Sequence, residues 1–211
     1  MASLLLRVVL CAALATAVTC APIKLASLPK NITVKVTGYE VGGQMIAAGP
    51  PCMEQTFGAC QTVKAEEDAV MVSYSVPAFL QKPNATVSIV ACFSAFSQYD
   101  RAWRKGNPLN LAAAKDCQNV AKKGLTAFSG NVTFHPNEKV PDSTMYMRAY
   151  LKCLQPDGSM QYCAYGNSQG FFQVQKVNDI PVGLEVAVGI CCCISPIMLV
   201  IAYFIEKKKT H

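Results

Sequence analysis

Histidine is nearly missing from this chain: His135 and the terminal His211 are the only two in 211 residues. Histidine-based triads and histidine-rich metal centres need more imidazole than that. His135 itself precedes Pro136 and Asn137 and reads as a turn at a strand end. Tryptophan is scarcer still, with Trp103 alone, and only 15% of residues carry a charge. Residues 21–182 contain no CxxC pair, no glycine-rich phosphate loop and no internal repeat, so the usual zinc, redox and nucleotide signatures are lacking. Glu66-Glu67-Asp68 is the densest acidic run and reads as a solvated turn before a strand rather than a calcium site. The formal charge of +6 falls to +4 over 21–182, fifteen basic against eleven acidic side chains, too dilute for nucleic acid. The expectation is a protein with no catalytic residue, no cofactor and no metal.

Two apolar runs mark the ends. Arg7 followed by Val8–Val18 has the length of a signal peptide rather than of a membrane span, with cleavage expected after Cys20 or, alternatively, Ala17. Val186–Ile205 is twenty residues without a charge, enough for one transmembrane helix. Glu206-Lys207-Lys208-Lys209 follows at once, as a stop-transfer cluster on the cytoplasmic side. Lys208 and Lys209 also match a dilysine retrieval signal. The organisation expected is a signal peptide at 1–20, an extracellular domain at 21–182, a transmembrane helix at 183–205 and a cytoplasmic tail at 206–211. Such a chain passes through the endoplasmic reticulum to the plasma membrane, with the lipid bilayer as its first partner.

Of eleven cysteines, Cys11 and Cys20 leave with the signal and Cys191, Cys192 and Cys193 fall in the span. Six remain outside, an even number that suggests three disulfides among fifteen pairings. Pairing of neighbours is the most economical choice: Cys52 with Cys60, Cys92 with Cys117, Cys153 with Cys163. Three glycosylation sequons, at Asn31, Asn84 and Asn131, lie in the same segment.

Alternation dominates residues 21–182. Ile32–Thr37, Ala69–Val76, Thr86–Phe93, Thr126–Phe134, Thr144–Cys153, Gln161–Tyr165 and Phe171–Val177 read as strands. Pro156-Asp157-Gly158 is a turn that a Cys153–Cys163 bridge would staple. Helical spacing appears only at Leu109–Lys123. Seven or so short strands predict a mainly β fold, an immunoglobulin-like antiparallel β-sandwich ectodomain. Cys92, Trp103 and Cys153 mimic the Cys–Trp–Cys core of antibody domains, but Arg101, Arg104 and Lys105 around Trp103 do not suit a core strand.

That leaves Gln98–Lys105, which holds the sole tryptophan and three of nineteen Lys and Arg. One reading is a solvated loop with Trp103 folded down and Arg101 or Arg104 paired to Asp100. The other is a partner contact, since Trp and Arg are the types most enriched at binding hot spots.

Ser97 to Lys105, preceded by Cys92 and followed by Lys115-Asp116-Cys117-Gln118, resembles the high-affinity nitrate transporter-activating (accessory) proteins of plants and algae. The likeness continues at Leu25–Pro29, Met147–Tyr150, Ala164–Ser168 and the last apolar helix with Glu206–Lys209. Higher-plant members carry the pair matching Cys92 and Cys117 but not Cys52, Cys60, Cys153 and Cys163, which suggests an algal member. The resemblance implies an accessory subunit that binds a multi-pass major-facilitator nitrate transporter and lets it reach or stay at the plasma membrane. It implies docking through Arg101, Trp103, Arg104 and Lys105, with Asp100 orienting the arginines, and oligomers only within the transporter complex. A single-pass recognition or adhesion module with the same sandwich is the alternative, and a redox or metal-handling surface protein a third.

Overall fold

The computed structural model describes residues 23–49, 52, 60–99, 101–176 and 182–209. The expected signal peptide, the centre of the 52–60 loop and Asp100 lie outside the described residues. Two compact units divide between Lys176 and Val177.

The first unit is a two-layer β-sandwich. Its strands are β1 (Thr33–Val41), β2 (Gln44–Ala47), β3 (Thr62–Lys64), β4 (Ala69–Ser75), β5 (Thr86–Phe93), β6 (Asn119–Leu125), β7 (Ser129–Phe134), β8 (Ser143–Leu154), β9 (Met160–Asn167) and β10 (Phe172–Gln175). One sheet runs β2-β1-β4-β7; the other runs β3-β10-β8-β5-β6, with β9 also on β8. Among these strands pairing is antiparallel except between β10 and β3, and an isolated parallel bridge joins Val34 to Ser168. Alternation explains the layers. Val87, Ile89 and Ala91 of β5, with Met145, Met147, Ala149 and Leu151 of β8, are fully buried against Val70 and Val72 of β4. The opposite residues of β8, among them Tyr146, Arg148 and Tyr150, share the outer face with Val90 and Cys92, their neighbours across the β5 ladder.

The entering chain first runs beside β9: Ile32 N donates to the Tyr165 carbonyl (3.3 Å) and Tyr165 N to that of Pro29 (3.1 Å). It then crosses to the other sheet as β1. At the crossing a Cβ on Gly166 would overlap the Ile32 carbonyl, so only glycine fits. The β8–β9 turn follows the Pro-Asp-Gly signal, with Gly158 at φ +79° and Asp157 Oδ1 accepting from Ser159 N and Oγ.

All three neighbour disulfides are present: Cys52–Cys60, Cys92–Cys117 and Cys153–Cys163. Two expectations are corrected. Leu109–Lys123 is not a helix; a single 3-10 turn at Leu111–Ala113 is followed by strand β6. Helix propensity there is overridden because Phe93 N takes the Asp116 carbonyl and Cys117 is bonded to Cys92, which draws the chain onto the β5 edge. Glu66 and Glu67 are exposed, but Asp68 is buried, accepting from Gly42 N (2.9 Å) and Lys64 N (2.7 Å). It is a backbone clasp, not a solvated charge.

The second unit contains helix Val182–Lys209, 28 residues continuous through Pro196. Its described apolar side chains, among them Val186, Ile190, Ile194 and Leu199, are exposed. Among the residues described with their side chains, no helix is long and apolar enough to cross a membrane.

Candidate functional site

The disulfide-closed loop between β5 and β6 is held from within by side chains, because it contains almost no regular structure. Ser94 Oγ caps the one-turn helix α1 (Ala95–Gln98) by accepting from Ser97 N. Gln98 bridges the loop's root: its Nε2 donates to the Phe93 carbonyl (2.8 Å), and its Oε1 accepts from Gly106 N (2.9 Å). Asn107 Oδ1 accepts from Leu109 N and Asn110 N, and Asn110 Oδ1 caps the next turn through Ala112 N. Lys115 N meets the Lys105 carbonyl, so the two arms of the loop touch. The incoming chain lies alongside, with Leu25 N on the Pro108 carbonyl and Leu111 N on that of Ile23.

Arg104 is the inner anchor. It is 1% exposed, with its guanidinium 4.7 Å from the centroid of the Phe93 ring. Nη1 donates to the carbonyls of Asp142 (3.3 Å) and Ser97 (3.5 Å), while Nε and Nη2 have no partner among the described residues. Burial, and then repulsion from Arg101, lower its proton affinity, and Asp142 opposes them. It remains charged, as an arginine does. This corrects the docking face read from the sequence: Arg104 points inward and cannot lie on an exposed face. A 3-10 turn of three residues, Ala102–Arg104, turns successive side chains about 120° apart. With Arg104 inside, Trp103 projects outward, 63% exposed, and Arg101 and Lys105 are exposed beside it. Tyr99, Phe96 and Leu109 of the same loop are exposed as well.

Beneath the loop lies a cluster that the sequence reading treated only as part of the family likeness. Arg148 on β8 is 5% exposed. Its Nε donates to Asn167 Oδ1 (2.8 Å), Nη1 to Tyr150 Oη (3.0 Å) and Cys117 Sγ (3.4 Å), and Nη2 to Tyr146 Oη. Asp116 Oδ2 is 3.7 Å from Nη1, a buried ion pair. The guanidinium also faces the rings of Tyr146, Tyr150 and Tyr165 within 6 Å, the range for cation–π attraction. Burial opposes the Arg148 charge, but Tyr146, Tyr150 and Asp116 outweigh it and its proton affinity ends above the usual value. Burial pushes Tyr146 up to about 12, against the pull of Arg148. With every guanidinium nitrogen engaged, Arg148 is a joint rather than a binding site. It connects the loop's disulfide and Asp116 to the sheet. One signal in the sequence marks it: an arginine alternating with tyrosines on a strand whose other face is Met, Met, Ala and Leu.

The remaining expectations fall elsewhere. Asn31, Asn84 and Asn131 are all exposed, and Asn84 adopts φ +61° in a turn. His135 is exposed just past β7. Among the described residues the one metal-type cluster is Cys92, Asp116 and Cys117, and its two sulfurs are bonded to each other.

Residues 25–180 match the family model described as high-affinity nitrate transporter accessory, Ig-like domain. A rice (Oryza sativa subsp. japonica) relative named high-affinity nitrate transporter-activating protein 2.1 is 27% identical over 188 residues, 88% of this chain and 82% of its own. A second rice relative, named probable high-affinity nitrate transporter-activating protein 2.2, is 27% identical over 168 residues, 75% of this chain and 78% of its own. An Arabidopsis thaliana relative named high-affinity nitrate transporter 3.2 is 24% identical over 70% of this chain and 74% of its own. No solved structure matches.

Proposed function

The chain belongs to the high-affinity nitrate transporter accessory family, and on that premise we propose that it is a non-enzymatic accessory subunit of a nitrate uptake system. It binds a multi-pass major-facilitator nitrate transporter in the plasma membrane and activates or stabilises it there. Val186–Ile205 spans the bilayer once, after removal of a signal peptide at 1–20, and the sandwich stands outside the cell with glycans on Asn31, Asn84 and Asn131. The apolar side chains exposed on Val182–Lys209 support that placement, since water is a poor solvent for them. A single helix cannot enclose a path for nitrate, so the transport step belongs to the partner.

The observation that carries the reading is the loop's division of labour. Buried Arg104, Gln98 and the Arg148–Asp116 joint fix its interior, while Arg101, Trp103 and Lys105 are left exposed. A pre-ordered aromatic and basic surface loses little entropy on docking. Co-expression with the transporter and measurement of uptake at low nitrate is the test. Uptake should depend on this chain, and Arg101→Glu with Lys105→Glu should weaken assembly while secretion and folding persist. Uptake that is indifferent to the chain refutes the accessory role.

A further inference from the structure

We infer that N-linked glycans on Asn31, Asn84 and Asn131 close one end of the β-sandwich to protein partners and leave contact with the transporter to the opposite end. The inference rests on the extracellular placement and accessory role proposed above, and adds which end of the domain is available.

Strand register defines the two ends. β5 runs from Thr86, opposite Lys152 of β8, to Phe93, opposite Met145. β6 returns from Asn119, opposite Ala91, to Leu125, opposite Val87. Three residues later Ser129 of β7 follows, paired with Ser75 of β4, which is itself opposite Thr33 of β1. One end therefore gathers the starts of β1, β5 and β7 together with the β8–β9 turn. Asn31 lies two residues before β1, Asn84 two residues before β5, and Asn131 is the third residue of β7, opposite Ser73. All three are exposed. The β5–β6 loop leaves Phe93 and returns at Asn119, at the other end. Asn107 and Asn110 in that loop, Asn119 at its return and Asn137 between β7 and β8 all lack a Ser or Thr two places on. Scarcity of asparagine does not explain why the sequons keep to one end.

The side chains around the sequons agree. Register places Asn131 on the outer face of its sheet in line with Ser73 and Lys35, next to Ser129, Ser75 and Thr33. Those neighbours are small or polar, without the Trp, Tyr or Arg that anchors an interface. The same end also exposes apolar groups: Phe79, 70% exposed, on the β4–β5 connection, and Leu154 and Met160, opposite each other beside the β8–β9 turn. Bare, such residues invite contacts. A bulky, hydrophilic glycan on Asn84, five residues from Phe79 on one connection, works against that. The modification is an ordinary transfer. Each Asn Nδ2 takes C1 of a preassembled oligosaccharide from a polyprenyl diphosphate donor; the N–C1 bond forms, the C1–O bond to phosphate breaks, the diphosphate leaves and the amide loses one proton.

The test moves a glycan from one end to the other. The full chain is expressed in eukaryotic secretory cells together with a major-facilitator nitrate transporter. Endoglycosidase should lower its apparent mass by three steps, one of which disappears in each of Asn31→Gln, Asn84→Gln and Asn131→Gln. Two further variants each add a sequon by one substitution. Asp157→Asn, ahead of Gly158-Ser159, places it in the β8–β9 turn; Lys139→Thr completes one at exposed Asn137, at the opposite end. Glycosylated Asp157→Asn should co-purify with the transporter as the parent does. Glycosylated Lys139→Thr should co-purify several-fold less, and recover when endoglycosidase removes the glycan from the folded chain. Equal loss in both variants, or loss in neither, overturns the inference. A parent with fewer than three glycans, beside a Lys139→Thr chain that gains one, overturns it while the outside placement stands. No glycan on any of these chains refutes that placement, and a parent that does not co-purify refutes the accessory role.

Discussion

Replacing Arg148 with methionine should be the most damaging single change in the sandwich that leaves its apolar core untouched. Methionine matches much of the aliphatic length but strands Asp116 Oδ2, 3.7 Å from the lost Nη1 in a pair whose side chains are 6% and 9% exposed. Asp116 Oδ1 already lacks a partner among the described residues, so the carboxylate would be left with neither of its oxygens compensated there. At an effective dielectric near 20, opposite charges about 4 Å apart attract by about 4 kcal/mol. Breaking a buried pair from one side costs about 3–5 kcal/mol, because the survivor stays desolvated. Tyr146, Tyr150 and Asn167 also lose their donor. The expected loss for Arg148→Met is therefore about 4 kcal/mol, and the double variant Arg148→Met with Asp116→Leu should recover most of the ion-pair share. The measurement is urea unfolding of the full chain in detergent, followed by Trp103 emission and by circular dichroism. A single-variant loss below about 1 kcal/mol, in the range of an exposed pair, would refute the reasoning. So would a double variant no better than the single.

Three further outcomes are expected. Gly166→Ala forces a Cβ into the Ile32 backbone at the sheet crossing and should cost about 3 kcal/mol or more, read as a lower denaturation midpoint. Asp68→Ala removes two charge-assisted bonds to the backbone, at Gly42 and Lys64, and should cost about 3 kcal/mol in the same assay. For pH, Tyr146 is raised from 10.0 to about 12 in the folded state. Its contribution is in full below pH 10.0 and is lost as pH rises through about 12, so stability should fall across that alkaline window. The Tyr146→Phe variant should show a flatter profile there, and a wild-type profile already flat in that window would contradict the assigned environment.

What the sequence showed of the fold follows strand length only in part, since seven-residue β6 was read within a helix and four-residue β10 as a strand. Long alternating segments such as β5 and β8 declare a buried face through many periods, and Thr86–Phe93 was read to the residue. Three- and four-residue strands such as β3 and β2 contain too few periods to register. At Leu111–Ala113 the local preference for helix was real but lost to a disulfide and a ladder bond that are non-local. Asp68 was misread for a related reason, since one of its two backbone donors lies 26 residues away at Gly42. Within the loop, composition identified the right segment but could not separate Arg101 from Arg104. Residue type is the same, and only the turn and the Phe93 ring decide which one faces inward.

That separation determines how the loop functions. A disulfide closing a separation of 25 residues restricts the unfolded chain by roughly 3–4 kcal/mol, but it does not specify where side chains point within the closed ring. Direction comes from buried polar anchors, and Arg104 is the costliest of them because two of its donors are unpaired among the described residues. Such a group is retained where replacing it by an apolar residue would surrender position rather than stability. Arg104→Met should then leave the unfolding midpoint near that of the parent, since lost carbonyl bonds are offset by relief of the unpaired donors. It should nevertheless abolish the ordered outward placement of Trp103, detected as a fall in Trp103 fluorescence anisotropy and weaker assembly with the transporter. Arg101→Gln, by contrast, should leave anisotropy unchanged and weaken assembly alone. If Arg104→Met instead behaves as Arg101→Gln does, the buried guanidinium is not what orders the loop.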